Sequence, residues 1–481
     1  MNKPLRHVWL VVSVLFLLLF GSTTYFHVIA AGSLNADGRN ARTIYNEFNK
    51  HRGPIVVAGQ PIAQSSPTDD TYGFSRQYDP GAMYAPVTGF YSVVYGFGGL
   101  ERALNGTLSG DSDALFYQRL ADTVSGRSPQ GATVELTLDP AAQQAAWDAL
   151  DGRRGAVVAL DPETGQILAL VSAPSYDPNA LSSHDTSAVQ AAWKQLNDDP
   201  ERPLTNRAIG GDLYPPGSTF KLLVAAAALD SGKYTKDTVI PGPGTLTLPN
   251  SSSVMYNHAG GDATACGPQD QSTLQEAMQQ SCNTSFALLG TDLGEDALAS
   301  TVAEYGFGQR LQIPLSVSPS TIGTDLDGAQ IATSSIGQFE DRVTPLQMAM
   351  VAGSFAADGR VMEPQLVQQV RTSDLSVISE LTPRQLSQPL SASNAAQMRE
   401  MMVATVEDGT GKSARIDGVE VGGKTGTAEW GEGRAAHSWF AGYAKSGERT
   451  VAVAVVVEEG GYGSAVAAPI AKDVMEAVVN P

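Results

Sequence analysis

A serine and a lysine stand at the start of an apolar run in the segment YPPGSTFKLLVAAAALD (214–230). Ser218 and Lys221 are three residues apart, so their side chains share one face if the segment is helical. The run is apolar nearly all round, which predicts an interior helix and a desolvated lysine. Burial lowers the pKa of a lysine and favours the neutral amine. A neutral amine beside a hydroxyl is a base beside a nucleophile, and the Ser218 N–H can serve as an oxyanion donor.

Two later segments carry compatible chemistry. SCN (281–283) is predicted to open a helix, and KTGT (424–427) follows a strand-like run. Neither is specific by itself, since SLN (33–35) also matches S-x-N and KTGT could form a hairpin turn. S-x-x-K, S-x-N and K-T-G in this order form a strong joint signal for a serine nucleophile. The two segments contribute Ser281, Cys282, Asn283, Lys424, Thr425, Gly426 and Thr427.

Simpler interpretations exist for these residues. Ser218 could only cap a helix while Lys221 extends to solvent. Cys266 and Cys282 are the only two cysteines, sixteen residues apart. In an exported chain they predict one disulfide, and two buried free thiols are the alternative. A cysteine protease using Cys282 and His258 is disfavoured, because no residue that would orient the histidine is evident.

Composition and spacing disfavour several other classes of protein. A net charge of −19 argues against a general nucleic-acid binder, which needs a basic face. The six histidines are scattered without metal-ligand spacing, so we predict no metal. GGKTGT lacks the spacing of a phosphate-binding loop, and we predict no cofactor. His437 is interpreted as a structural residue beside the cleft rather than a base, because Lys221 fills that role.

The N-terminus predicts a membrane anchor. Residues 8–31 contain no Asp, Glu, Lys or Arg, and about 24 helical residues reach roughly 36 Å, enough to cross a hydrocarbon core of about 30 Å. Lys3 and Arg6 precede this segment, which places residues 1–7 in the cytoplasm and the rest of the chain outside. A cleaved signal peptide is the alternative, although the sequence around Ala30 is not a clean A-x-A site.

Two further regions follow the anchor. Residues 32–138 mix short β-like runs with glycines and prolines, which predicts a small α+β module. Residues 139–481 begin with a helix capped by Asp139 and an apolar hairpin at 155–174. Helical patterns then dominate, and strands return after residue 415. We therefore predict an α/β (α+β) fold in which both ends of this region build one sheet around a helical block.

The three motifs, within RAIGGDLYPPGSTFK (207–221) and GGKTGTAEW (422–430), resemble those of the penicillin-binding transpeptidases. The resemblance covers residues 139–481 together with the anchor and the N-terminal module. VELTLDPAAQQAAWDAL (134–150) is similar to the opening of the domain in class B members, and the whole chain resembles class B members of mycobacteria and related actinobacteria. It implies a penicillin-binding transpeptidase/serine β-lactamase-like domain, with an antiparallel sheet flanked by helices and a helical subdomain. Residues 32–138 would then be a pedestal, too short for the glycosyltransferase domain of class A members.

The resemblance implies a role for each motif residue. Ser218 would attack the D-Ala-D-Ala carbonyl of a peptidoglycan stem peptide, and Lys221 would take its proton. Ser281 would relay a proton to the leaving D-alanine, and Asn283 would hold the substrate amide. An amine of a second stem peptide would then resolve the acyl-enzyme.

The K-T-G segment would bind the other end of the substrate. Lys424 would keep Lys221 neutral and attract the terminal carboxylate, which the hydroxyls of Thr425 and Thr427 would hold. The Thr427 N–H would be the second oxyanion donor, facing that of Ser218.

The implied ligands are peptidoglycan stem peptides and β-lactam antibiotics, which would acylate Ser218. A polytopic membrane glycosyltransferase is the implied partner class for residues 32–138. A β-lactamase, a D,D-carboxypeptidase with water as acceptor, and a non-catalytic β-lactam sensor or scaffold remain alternatives. The anchor and residues 32–138 favour the transpeptidase. We also expect a Cys266–Cys282 disulfide to stiffen the turn at 281–283.

Overall fold

The computed structural model describes residues 3–30, 47–126, 130–258, 261–311, 313–431 and 433–480. The predicted anchor end at Ala31, the start of the module at 32–46 and Pro481 lie outside the described residues. The α-helices are α1 (Lys3–Thr24), α2 (Gly81–Thr88), α3 (Gly99–Ala103), α4 (Asn105–Leu108), α5 (Phe116–Val124), α6 (Pro140–Leu150), α7 (Asn179–Ser182), α8 (Thr186–Asp198), α9 (Lys221–Asp230), α10 (Leu274–Gln280), α11 (Asn283–Leu293), α12 (Glu295–Glu304), α13 (Gly328–Ser334), α14 (Pro345–Ala356), α15 (Ala392–Glu407) and α16 (Ala467–Val479).

The strands are β1 (Ile55–Val57), β2 (Gln60–Pro67), β3 (Phe74–Tyr78), β4 (Tyr91–Ser92), β5 (Gly96–Phe97), β6 (Thr133–Leu136), β7 (Gly155–Leu160), β8 (Ile167–Ala173), β9 (Val239–Pro241), β10 (Thr245–Thr247), β11 (Val254–Tyr256), β12 (Gln271–Thr273), β13 (Val361–Met362), β14 (Val367–Arg371), β15 (Val377–Glu380), β16 (Gln385–Ser387), β17 (Glu420–Ala428), β18 (His437–Ser446) and β19 (Arg449–Val457). Shorter helical turns are Tyr25–Ile29, Asp113–Leu115, Gly217–Phe220, Pro268–Asp270 and Lys412–Ala414.

The central sheet has five antiparallel strands in the order β17-β18-β19-β7-β8. The predicted hairpin forms β7 and β8, and the strands after residue 415 pair beside it through β19. The sheet is therefore assembled from both ends of this region, as predicted, and it ends at β17, which carries the KTGT segment.

Both faces of this sheet are covered. Val157 packs with α6 and α16 on one face, whereas its neighbour Val158 packs with the cluster that includes α14 on the other. This alternation is expected for a strand, because successive side chains point to opposite faces. It explains why the hairpin arms are apolar at most positions. Asp139 caps α6 by accepting hydrogen bonds from Ala141 N and Ala142 N.

A helical block lies at the β17 side of the sheet. α9 is buried except for its last residue and packs against α11, α12 and α15. The turn Gly217–Phe220, which leads into α9, packs directly on β17. This contact brings the S-x-x-K and K-T-G segments together.

A second sheet has six strands in the order β15-β14-β6-β1-β2-β3. Its strands β14 and β15 come from residues 367–380, far along the chain from the rest. Thr133 to Leu136 pair with Arg371 to Val367. The two regions are thus joined by backbone hydrogen bonds, and the boundary between 32–138 and 139–481 stays a prediction.

The N-terminal helix is apolar and exposed. Residues Lys3–Ile29 form one helical stretch of 27 residues with a mean hydropathy of 2.0 and no buried residues in its most apolar window. Its length and composition are sufficient to cross a membrane.

Candidate active site

Ser218 lies in a tight turn at the entrance of α9. The α-helix proper begins at Lys221, three residues later than predicted, and residues Gly217–Phe220 form a 3₁₀ turn. Gly217 has a φ of +53°, and its N–H donates to Gly337 O at 2.9 Å. A Cβ on Gly217 would lie 2.9 Å from Thr427 O, so glycine is needed for this close approach. The turn therefore holds Ser218 against β17.

Lys221 is fully buried, and its amine joins two of the predicted motifs. Its Nζ donates to Ser281 O and to Asn283 Oδ1, both at 2.8 Å, and lies 3.4 Å from Ser281 Oγ. The sequence predicted Ser218 as the partner of Lys221, but among the described residues the hydrogen bonds of the Lys221 amine go to Ser281 and Asn283. A carbonyl and an amide oxygen are stronger acceptors than a hydroxyl, and catalytic hydrogen bonds often tighten only when substrate is bound.

The contacts of Lys221 suit an unprotonated amine. A neutral amine has two N–H bonds and one lone pair. The two contacts at 2.8 Å use both N–H bonds, and the longer contact to Ser281 Oγ at 3.4 Å occupies the remaining position. Burial, followed by the positive charge of Lys424, lowers the pKa of Lys221 well below its usual value. The lone pair is then available to accept a proton from a hydroxyl in the cleft.

Lys424 is the second buried cation at this site. It lies on β17 with no exposed surface, and its Nζ donates to Thr425 O at 3.0 Å. Burial lowers the pKa of Lys424 to about 7. Both lysines therefore lie beneath the floor of the cleft, and a positive charge on Lys424 disfavours protonation of Lys221.

Ser281 differs from the sequence prediction in its local structure. It was expected at the start of a helix, but it ends α10 in a left-handed conformation with a φ of +62°, and α11 begins at Asn283. This conformation reverses the chain between the two helices and turns Ser281 O towards Lys221. Such backbone is costly for a residue other than glycine and is found at functional sites.

A disulfide lies directly beside this reversal. The structure joins Cys266 to Cys282, with a Cα–Cα distance of 5.9 Å. Cys282 is fully buried and precedes α11 as its N-cap residue. Asn257 supports the same turn, since its O accepts from Asn283 N at 2.9 Å and its Nδ2 donates to Thr264 O.

β17 presents Thr425 and Thr427 to the cleft. A Cβ on the intervening Gly426 would lie 3.0 Å from Pro216 O and 2.9 Å from Trp439 Cβ. The predicted close backbone approach at this glycine is therefore present in the structure.

Thr410 is a site residue that sequence reasoning missed. Its Oγ1 accepts a hydrogen bond from Thr425 Oγ1 at 2.8 Å, and its N–H donates to Gln279 O at 3.1 Å. A Cβ on Gly409 would lie 2.3 Å from Gln279 O, so the glycine permits this contact. The sequence signal was the GTG triplet at 409–411, which follows α15.

These residues surround a cleft of about 470 Å³, a size suited to a short peptide or a drug-sized ligand. Its lining also includes residues that the sequence gave no reason to select. The lining residues are Ser218, Val254, Met255, Tyr256, His258, Gly261, Gln280, Ser281, Asn283, Ile336, Gln338, Thr410, Thr425, Thr427, Glu429, Tyr462 and Ser464.

His437 is not among the described residues that line the cleft. His437 is buried, and its Nδ1 accepts a hydrogen bond from Glu459 N at 3.1 Å. Burial lowers the pKa of His437. Within the described parts of the chain, no three His, Cys, Asp or Glu side chains are grouped as metal ligands.

Comparison with known proteins identifies the family. Residues 155–476 match the penicillin binding protein transpeptidase domain. The chain belongs to the penicillin-binding transpeptidases. Residues 52–134 match the penicillin binding protein A dimerisation domain.

Similar proteins span the whole chain. It is 44% identical to the peptidoglycan D,D-transpeptidase PbpA of Mycolicibacterium smegmatis, covering 100% of this chain and 99% of that one. It is 42% identical to PbpA of Mycobacterium tuberculosis over the same shares. The resemblance to mycobacterial class B members is therefore confirmed.

Solved structures agree with this assignment. The ceftriaxone acyl-enzyme complex of penicillin-binding protein A from M. tuberculosis has a TM-score of 0.86 at 42% identity, covering 91% of this chain and 100% of that one. The penicillin G acyl-enzyme complex of the same protein has a TM-score of 0.84 at 42% identity, covering 89% and 99%. The predicted transpeptidase fold is confirmed.

Proposed function

We propose that this chain is a peptidoglycan D,D-transpeptidase that cross-links stem peptides through an acyl-enzyme on Ser218. The observation that carries the proposal is the fully buried Lys221 amine, which bonds to Ser281 and Asn283 at the floor of a cleft that Ser218 lines. A desolvated base, a nucleophile and a second hydroxyl at one point suit acyl transfer. The names of the relatives agree with this reaction.

We assign the steps of acylation to these residues. Lys221 Nζ takes the Ser218 proton while Oγ attacks the carbonyl carbon of the D-Ala-D-Ala bond. The Ser218 and Thr427 N–H groups donate to the developing oxyanion. The C–N bond then breaks, and the proton passes from Lys221 by way of Ser281 to the leaving D-alanine. Asn283 holds the substrate amide in place.

We assign the carboxylate of the substrate to Thr425 and Thr427, near the C-terminal end of β17. Lys424 supplies the positive charge, and the hydroxyls of Thr425 and Thr427 donate to the carboxylate oxygens. Thr410 completes this group. When the Thr425 hydroxyl turns its single proton from Thr410 to the carboxylate, the Thr410 hydroxyl can donate to Thr425 Oγ1 instead. Deacylation reverses the first step: an amine attacks the ester, its proton returns to Ser218 Oγ through Lys221, and a new amide is released.

We assign the chain to the cell membrane, crossed once by α1, with the catalytic domain outside the cytoplasm. The apolar stretch Lys3–Ile29 and the preference for positive residues on the cytoplasmic side support this topology. Residues 32–138 are proposed as a pedestal, and a polytopic membrane glycosyltransferase is its proposed partner. Stem peptides and β-lactams are the proposed ligands of the cleft.

Acyl transfer to an amine tests the proposal directly. The full chain in detergent would be given a thioester donor that mimics the D-Ala-D-Ala bond together with an excess of an amine acceptor, and the products would be measured by mass spectrometry. We expect the amide product, and Ser218→Ala should reduce it to background. Hydrolysis of the donor without amide product would instead indicate a D,D-carboxypeptidase. No reaction of the donor with water or with the amine would indicate a non-catalytic scaffold.

A further inference from the structure

Glu429 is a negatively charged residue in the wall of the cleft. It is the only carboxylate among the described residues that line the cleft, and its side chain is exposed. The two lysines of the site, Lys221 and Lys424, are fully buried beneath the floor. Within the described residues Glu429 has no ion-pair partner, so the accessible wall of the cleft carries one negative charge.

The position of Glu429 follows from the strand that precedes it. Thr425, Thr427 and Glu429 are two residues apart, and all three line the cleft. Alternate residues of an extended chain share a face, with about 6.6–6.8 Å between each pair. Glu429 follows Ala428, the last residue of β17, and it lines the cleft beyond Thr427, on the side away from Thr425.

This order fixes the direction of a bound donor peptide. If its terminal carboxylate lies at Thr425 and its reactive carbonyl faces the Thr427 N–H, the preceding residues must run along the strand towards Glu429. The peptide is then antiparallel to β17, as when an extended ligand adds to a sheet edge. The residue before the D-Ala-D-Ala pair comes about 3.4 Å further along, and a long side chain on it reaches Glu429.

We propose that Glu429 binds a cationic amine on the side chain of the donor residue that precedes D-Ala-D-Ala. This inference rests on the proposed transpeptidase function. Cross-linking requires stem peptides that carry an amine, and a stem peptide that acts as donor in one reaction carries the same amine that serves as acceptor in another. An exposed carboxylate directly after the end of β17 selects such a donor over a neutral one.

The neighbouring charges leave Glu429 available for this role. Lys424 and Arg434 are each five residues from Glu429 along the chain. Lys424 is fully buried, and the Arg434 guanidinium lies 5.8 Å from the Trp430 ring centre and 3.8 Å from Glu459. Arg434 thus contacts Trp430 and Glu459 and is not among the described residues that line the cleft. Glu429 is left facing the cleft.

The test compares two donors that differ only in the charge of one side chain. Peptides ending in Lys-D-Ala-D-Ala and in Nε-acetyl-Lys-D-Ala-D-Ala would be given to the full chain in detergent with an excess of a small amine acceptor. D-Alanine release would be measured. We expect the wild-type protein to prefer the lysyl donor by about three- to ten-fold in kcat/KM, mainly through KM, the size of an exposed or partly desolvated ion pair.

Variants assign the preference to Glu429. Glu429→Gln should bring the ratio of the two donors close to one, and Glu429→Lys should favour a donor with glutamate at the same position. Glu448→Gln is the matched control, because it removes the same charge from the exposed β18–β19 turn; it should keep the wild-type ratio.

Two results would overturn the inference, and they are distinguishable. Equal use of both donors by the wild type, or an unchanged ratio in Glu429→Gln, removes the role of Glu429 and leaves the transpeptidase assignment standing. No D-alanine release by the wild type from any donor contradicts the proposed function and this inference with it.

Discussion

The disulfide beside the catalytic turn is predicted to stabilise both the fold and the active site. Cys282 lies between Ser281 and Asn283, and its bond to Cys266 closes a segment with a sequence separation of 16. Without the disulfide, the turn keeps the hydrogen bond from Asn283 N to Asn257 O but loses its covalent restraint. The perturbation is the double variant Cys266→Ala/Cys282→Ala.

The magnitude follows from the length of the closed loop. In the chain-entropy treatment, a loop of about 15 residues stabilises the folded state by roughly 3 kcal/mol. The double variant should therefore lose about 3 kcal/mol in its free energy of unfolding. Acylation by penicillin should also slow by roughly ten-fold, because a displacement of about 1 Å at catalytic groups can cost about 100-fold and the remaining hydrogen bonds of the turn should keep the displacement smaller.

The assay is urea unfolding of the full chain in detergent, followed by tryptophan fluorescence, with the penicillin acylation rate measured in parallel. Reduced wild-type protein is the matched control, since it breaks the bond and keeps both sulfurs. If the reduced protein and the double variant both match the oxidised wild type within about 0.5 kcal/mol and in acylation rate, the proposed role of the bond is refuted. Finding both thiols free by non-reducing peptide mapping would refute it earlier.

Three further predictions concern the β17 side of the cleft. Burial lowers the pKa of Lys424 to about 7, so its charge is lost as the pH rises through that value. We therefore expect kcat/KM for a donor with a free terminal carboxylate to fall above about pH 7, and kcat/KM for the same donor with its carboxylate converted to a methyl ester to stay unchanged. Parallel pH profiles for the two donors would contradict the assignment of Lys424. Thr410→Val removes the hydroxyl that contacts and orients the Thr425 hydroxyl. It should raise KM for the carboxylate donor by about five-fold, the value of one hydrogen bond. An equal effect on the methyl ester donor would argue for a general distortion of the site. Gly426→Ala places a Cβ 3.0 Å from Pro216 O and should destabilise the fold by about 1–3 kcal/mol and reduce penicillin acylation; wild-type stability and acylation together would show that the close contact is not needed.

Much of the fold could be predicted because its signals are local. Asp139 followed by a proline is a helix start that depends only on adjacent residues. The hairpin at 155–174 is marked by two apolar arms around a polar turn. The pairing of β6 with β14 could not be predicted, because it joins residues more than 200 positions apart and their patterns do not specify a partner strand.

The candidate site was predicted in its parts but not in its contacts. The three motifs gave the residue types, and burial of α9 followed from its apolar sequence. The partners of Lys221 depend on the left-handed conformation of Ser281, which no sequence pattern indicated. Thr410 enters the cleft through packing of a distant segment, whereas Glu429 follows Thr427 by two residues but carried no motif that marked it. Their positions required the structure.

The most direct test of the central claim is the intact mass of the full chain after incubation with penicillin, with Ser218→Ala beside it and peptide mapping to place the adduct. The account predicts one adduct per chain, on the peptide that contains Ser218, and none on the variant. An adduct on Ser218→Ala, or an unmodified wild-type protein beside intact penicillin, would contradict the assignment of Ser218 as the nucleophile.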